Sequence, residues 1–352
     1  MEREFPAAEL RRRFANAFPP QPLLYWGDLF ASAGVGWGAF TIGATASSGT
    51  VLHLTATGVA VVALLRAAIF IHEITHLRDG SLPGFAVSWN LIVGFPLLLP
   101  SLMYVGSHND HHRQPTFGTS YDPEYAPLAH WSWGRILWFV VSLVFVPALL
   151  ILRWGVLGPL AFFLPRLRRL LIERASTLVT NPDYRRPAPR GKHAVRWLIQ
   201  EIAVALTVWG VAASIDQGWL SLQWIVQWYI VMTGIALVNQ VRTLAAHRYD
   251  NDGSQLDATA QLLDSVTLSG WTFPTVLAAP LGLRFHALHH VLPTVPYHSL
   301  GFVHRLLLEE LPLDSPYRQT QERGIFAAVK SLLRQSRAAV PALTADHVAR
   351  EV

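Results

Sequence analysis

The chain has 352 residues, 51% of them hydrophobic and only 14% charged, where soluble domains carry about 25% charged residues. Its formal charge is +5, from 28 basic and 23 acidic residues. It has no cysteine, which excludes disulfides, thiolate zinc sites, iron–sulfur clusters and thiolate-bound haem.

Residues 1–27 are polar and basic (Arg3, Arg11, Arg12, Arg13), then proline-rich through Pro19, Pro20 and Pro22. They read as a cytoplasmic N-terminal tail, without the apolar core and cleavage site of a signal peptide. Windows 29–65, 80–109, 136–152, 217–241 and 265–283 contain no Asp, Glu, Lys or Arg, and the longest exceed the roughly 20 residues a membrane-spanning helix needs. Two spans are predicted at 29–47 and 51–71, joined by the tight turn Ser47-Ser48-Gly49-Thr50. The turn has no basic residue while both flanks do, so the positive-inside rule puts the flanks in the cytoplasm. The stretch 85–105 is broken by Pro96 and Pro100 and is expected to form a bent or re-entrant hairpin.

Residues 134–165 are expected as a hairpin, or as a helix plus an interfacial segment. A basic cytoplasmic loop follows at 166–196. A second pair of spans is predicted at 197–215 and 219–241, and 265–283, which contains Pro274 and Pro280, is expected to be a cytoplasmic-facing or interfacial segment and not a span. The C-terminal stretch from about 305 is charged and ordinary. The predicted fold is therefore an all-α, polytopic membrane helical protein with at least four transmembrane helices, a main domain at 28–318 and a C-terminal tail at 319–352. The arginines cluster without a soluble domain or an aromatic reading surface, so no nucleic-acid partner is expected.

Histidine is the ligand type in excess, with 15 copies. His72-Glu73-Ile74-Thr75-His76 closes the second span, His108-Asn109-Asp110-His111-His112 follows the bent segment, His247 follows the last span, and His286-Ala287-Leu288-His289-His290 lies beyond it. Residues at i, i+3 and i+4 share one helix face, so each group presents two or three imidazoles to one point. Neutral imidazole suits iron, copper, zinc and nickel. Nine histidines (His72, His76, His108, His111, His112, His247, His286, His289, His290) exceed the ligand demand of one ion and imply two metals. His53, His130, His193, His304 and His347 are isolated and expected to be structural; His298 is intermediate. With the turn at 47–50 and the second, also non-basic, turn Asp216-Gln217-Gly218 both outside, and hairpins at 85–105 and 134–165, an even number of crossings separates the groups and sets them on one face. Glu73, Asp110, Asp122, Asp250 and Asp264 are candidates to hold the histidines from behind.

This pattern of HxxxH, HxxHH and HxxHH with an additional histidine resembles the membrane fatty acid desaturase superfamily, which includes membrane hydroxylases and carotenoid oxygenases. The resemblance runs over residues 28–318. It implies a cytoplasmic histidine-box cap holding two iron ions, with O₂ as co-substrate. A separate electron donor of ferredoxin or cytochrome type would be required, since no HPGG haem-domain motif occurs. It also implies oxidation of an unactivated C–H bond in a lipid or fatty acyl chain. Acyl-CoA desaturases have a first box one residue longer and an Asn four residues before the additional histidine, where this chain has Thr243. The acyl-lipid, sphingolipid and carotenoid branches are thus nearer. The expected activity is acyl-lipid desaturation, with lipid or carotenoid hydroxylation or ketolation as the alternative. The expected location is a bacterial inner membrane, with the metal site on the cytoplasmic side. No catalytic residue is assigned beyond the metal centre. His72-Glu73-Ile74-Thr75-His76 also reads as the HExxH of a zinc protease, which would leave both HxxHH groups unexplained. A haem carrier would place single histidines near span centres, unlike these clusters at span ends.

Overall fold

The structure, a computed structural model, describes residues 5–348, with side chains described to Ser336. Its regular structure is almost entirely helical, with two short strands. In chain order the helices are α1 (Ala7–Phe14), α2 (Pro22–Thr45), α3 (Val51–His76), α4 (Phe85–Trp89) and α5 (Ser107–His112). Next come α6 (Trp133–Val141), α7 (Val146–Ile151), α8 (Gly158–Ala161), α9 (Pro165–Arg174), α10 (Lys192–Asp216) and α11 (Leu222–Leu244). The remainder are α12 (Ala258–Asp264), α13 (Phe273–Ala278), α14 (His286–Val291), α15 (Tyr297–Glu310), α16 (Pro316–Gln319) and α17 (Ile325–Val348). Two short strands, β1 (Thr267–Leu268) and β2 (Gln321–Glu322), pair in parallel.

Among the described residues, four helical stretches are long and apolar enough to cross a membrane: Val51–His76, Trp133–Ala161, Lys192–Asp216 and Leu222–Leu244. The expected span at 29–47 forms as part of α2 but is not one of the four, because Gly27, Gly34, Gly36, Gly38 and Gly43 dilute its apolar content. The region 134–165 is one helical stretch followed by α9, not a hairpin. Pro147 and Pro159 lie in the first turns of α7 and α8 and withhold backbone donors. A 3₁₀ turn at Ser142–Phe145 and a π turn at Leu152–Leu157 take up the mismatch. The even crossing count expected between the histidine groups therefore no longer follows from helix lengths. At 85–105 the bend is as expected: α4 runs into a π turn at Asn90–Gly94, ends before Pro96, and Leu98 takes a positive φ of 57°.

Two compact units divide the chain. One comprises Gln21–Asn109 and Leu143–Ala236; the other comprises Met1–Pro20, Asp110–Ser142 and Leu237–Val352. In the first unit, small residues let α2 and α3 approach closely: a Cβ on Gly36 would stand 2.6 Å from a Leu64 methyl. Asp28 pairs with Arg66 through both carboxylate oxygens, at 2.7 and 2.5 Å, and the Tyr25 hydroxyl donates to Glu73 at 2.5 Å. The basic loop is partly structural. Glu201 pairs with Arg153 (3.0 Å) and Arg168 (2.7 Å), and Arg186 donates to the carbonyls of Leu102, Val105 and Ser176.

In the second unit, one core joins Phe5, Leu10 and Phe14 to Ala287, Leu288 and Val291 of α14 and to α15. Another gathers Phe117, Tyr125, Trp131, Tyr249 and Leu332. Both ends of the chain that read as tails thus pack here: residues 5–14 in the first core, and α17 in the second through Leu332 and a hydrogen bond from Ser336 to the Trp131 carbonyl.

Candidate metal centre

Each histidine group sits where a helix begins or ends. In the first unit α3 terminates at His76, so His72 and His76 occupy its last turns. The His72, His76 and His108 rings lie 4.8 to 5.0 Å apart, centroid to centroid, and each brings a ring nitrogen within 4.8 Å of the others. His72 and His108 are buried, while His76 is half-buried. The ring of His108 stacks on Tyr104.

The six-residue helix α5 carries His108 at one end and His111 and His112 at the other. In the second unit His111 joins His247, His286 and His290. All four are buried, with ligand atoms within 4.8 Å of one another. His286 Nε2 lies 2.9 Å from His247 Nε2 and 3.1 Å from His290 Nε2. His112 and His289 face each other, with Nε2 atoms 3.2 Å apart. All nine sequence-predicted histidines therefore stand in groups with others of the nine. The isolated histidines do not join these groups through the contacts described. His53 meets Gln227, His130 meets Asp250, His298 meets Ser299 and His304 meets Tyr317. The His347 side chain lies outside the described residues.

Sequence spacing did not reveal what sets His247 beside His286. Residues 265–268 run buried between them as a short extended segment. His247 bridges to Ser265 and Thr267 bridges to Phe285, both antiparallel, while β1 pairs with β2. Val266 N–H donates to Ala246 and its carbonyl accepts from Ala287, which fixes both histidine segments to one piece of backbone.

Carboxylates orient two of the rings. Asp122 is fully buried and accepts from His111 Nδ1, with both oxygens 2.9 Å away; it also accepts from the N–H groups of Gly118 and Glu124. Asp264 lies 3.1 Å from His247 Nδ1 and accepts from the Tyr125 hydroxyl (2.8 Å) and the Tyr249 N–H (3.1 Å). A proton on each Nδ1 leaves the Nε2 lone pair aimed into the group. Glu73 lies 3.8 Å from His72 Nδ1. Asp110 pairs with Arg113, and Asp250 is exposed beside His130. Burial, aided by the surrounding imidazoles, holds His286 well below the ordinary histidine range. Burial also lowers His247 against the opposing pull of Asp264. For His111 burial acts downward as well, but Asp122, with Glu124 and Asp264, outweighs it and raises the ring.

These residues fit a metal ion. At a metal–nitrogen bond of about 2.1 Å, two donors at right angles stand about 3.0 Å apart, close to the Nε2 separations of 2.9 and 3.1 Å. Buried lone pairs facing one another are costly unless a cation lies between them. His286 Nδ1 is itself buried without a hydrogen-bond partner among the described residues.

Comparisons with known proteins agree with this geometry. The family model described as fatty acid desaturase matches residues 48–321. A ceramide hydroxylase of Caulobacter vibrioides (strain NA1000 / CB15N) is 43% identical over 324 residues, covering 90% of each chain. No solved structure matches.

Proposed function

The chain belongs to the fatty acid desaturase family, and from that membership we propose that it is a membrane oxidoreductase that binds two iron ions and uses O₂ to hydroxylate a lipid chain, with a ceramide-type lipid as substrate. His111, His247, His286 and His290 would hold one ion. His72, His76 and His108 would hold the other. His112 and His289, whose Nε2 atoms are 3.2 Å apart, are the remaining candidate ligands.

The main support is that the residues at hand are imidazoles alone, backed by carboxylates and buried among apolar rings. Bound iron supplies O₂ activation and the oxidising power to break an unactivated C–H bond. The protein's part is to hold the donors in place and keep water out. Asp122 and Asp264 keep protons on the outer nitrogens of His111 and His247, so that the inner nitrogens stay free to bind. Phe117 and Tyr125 pack against His247, and Phe117 also packs against His111 and His290. Apolar packing of this kind excludes solvent from a reactive site. Reducing equivalents would come from a separate ferredoxin- or cytochrome-type protein. A bacterial inner membrane accords with the four apolar helices and the bacterial relative, and the cytoplasmic face for the site is what the family resemblance implies.

Sequence alone favoured desaturation. The hydroxylase relative favours its stated alternative, because 43% identity over 90% of both chains is far more than nine ligand positions could supply. The HExxH protease reading fits poorly, since Glu73 is bonded to Tyr25 and His108 completes the His72–His76 group. Expression in a host that makes ceramides, followed by lipid mass spectrometry, tests the proposal. A gain of one oxygen atom supports hydroxylation, a loss of two hydrogens returns the assignment to desaturation, and an unchanged lipid profile in a reductant-competent host rejects both.

A further inference from the structure

Helix α14 is six residues long, too short to hold its shape without outside support. One side presents His286, His289 and His290, and the other buries Ala287, Leu288 and Val291. Part of that apolar side is covered by Phe5, Leu10 and Phe14, each 5% exposed. Leu10 and Phe14 come from α1 and Phe5 stands two residues before it, all outside the region matched by the family model. The Leu288 carbonyl is taken by the Leu292 N–H. Arg11 reaches the carbonyls after it: its Nε donates to Val291 at 2.9 Å and its Nη2 to His290 at 3.5 Å. A cation donating to the last carbonyls of a helix satisfies orphan acceptors and opposes the negative end of the helix dipole.

We propose that Arg11 is a positioning residue for the third histidine group, capping α14 so that His286, His289 and His290 keep the rotation in which their Nε2 atoms face the metal sites. The N-terminal helix is then a working part of the centre and not a tail. Arg13 steers it by pairing with Glu310 at 2.5 and 2.7 Å, which fastens α1 to the end of α15. Arg11 touches neither metal nor substrate; it acts through the backbone of α14. The proposal rests on the metal reading above, and its test separates the two.

Full-length protein purified in detergent is compared as wild type, Arg11→Ala, Arg11→Lys and Arg12→Ala. Two quantities are read: the rate at which bound iron is lost to a chelator, and the amide exchange of residues 286–292 in metal-free protein. Arg11→Ala is expected to lose iron about tenfold faster, the scale seen when groups that orient metal ligands are removed, and to exchange faster at 286–292. Arg11→Lys is expected to recover part of both effects, since one ammonium can donate to the same carbonyls, and Arg12→Ala to match wild type. Exchange at 286–292 that is equal in wild type and Arg11→Ala overturns the proposal. So does iron loss that is equally fast in Arg11→Ala and Arg12→Ala. If wild type holds no iron yet Arg11→Ala still loosens 286–292, the capping role stands and the metal reading falls.

Discussion

Asp122 and Asp264 do parallel work from different parts of the chain. Each is buried and fixed by several donors, and each meets one histidine at Nδ1. Replacing either with Asn keeps the size but removes the charge that holds the imidazole tautomer. Asp122→Asn and Asp264→Asn are each expected to weaken iron binding by about 10- to 100-fold, measured by competition with a chelator, while the protein still inserts in membranes. His304 makes a separate point. Burial, with help from Arg284 and Arg305, pushes it down to about 4 from 6.5, and its Nδ1 lies 2.7 Å from the Tyr317 hydroxyl. Because the folded protein disfavours the charged ring, this stability is fully present above pH 6.5. It is lost as pH falls toward 4, where the unfolded chain binds the extra proton. The melting temperature of His304→Phe is therefore expected to fall less steeply than wild type between pH 6.5 and 4.

At the level of elements, the short segment 265–268 and its partner β2 carry more of the site than their size suggests. They register His247 against His286 and tie the start of α17 to the same sheet. Gly270 lies just beyond, where a Cβ would stand 1.7 Å from the Arg323 carbonyl oxygen, a backbone atom that cannot rotate away. Gly270→Ala is expected to push β2 from β1 and cost about 1–3 kcal/mol, the usual scale for forced overpacking. A fall in thermal stability accompanied by loss of iron would show that the strand pair supports the site. Unchanged stability would show that the contact relaxes freely. The α2–α3 pair depends on small residues in the same way, with Gly36 against Leu64, and its polar bonds Asp28–Arg66 and Tyr25–Glu73 fasten helices that lipid alone would not hold together.

For the whole molecule, the central expectation is two irons per chain, read by elemental analysis. His72→Ala and His289→Ala should each abolish lipid oxidation while leaving the protein in the membrane; near-normal oxidation by either variant would contradict the assigned ligand set. By itself the sequence determined the membrane class, the tight turns, the bend at Pro96 and Pro100, and the histidine groups. Those properties are local: apolar run length, a missing backbone donor, or spacing along one helix turn. Tertiary structure alone decided that 133–161 runs as one continuous helical stretch before α9, because the 3₁₀ and π turns that absorb its prolines depend on neighbouring packing. It alone selected Asp122 and Asp264 over Asp110 and Asp250, since a carboxylate finds its histidine through the fold and not through sequence distance. It alone brought Arg11 to the end of α14, 280 residues away, because a helix end is satisfied by whatever donor the packed chain delivers there.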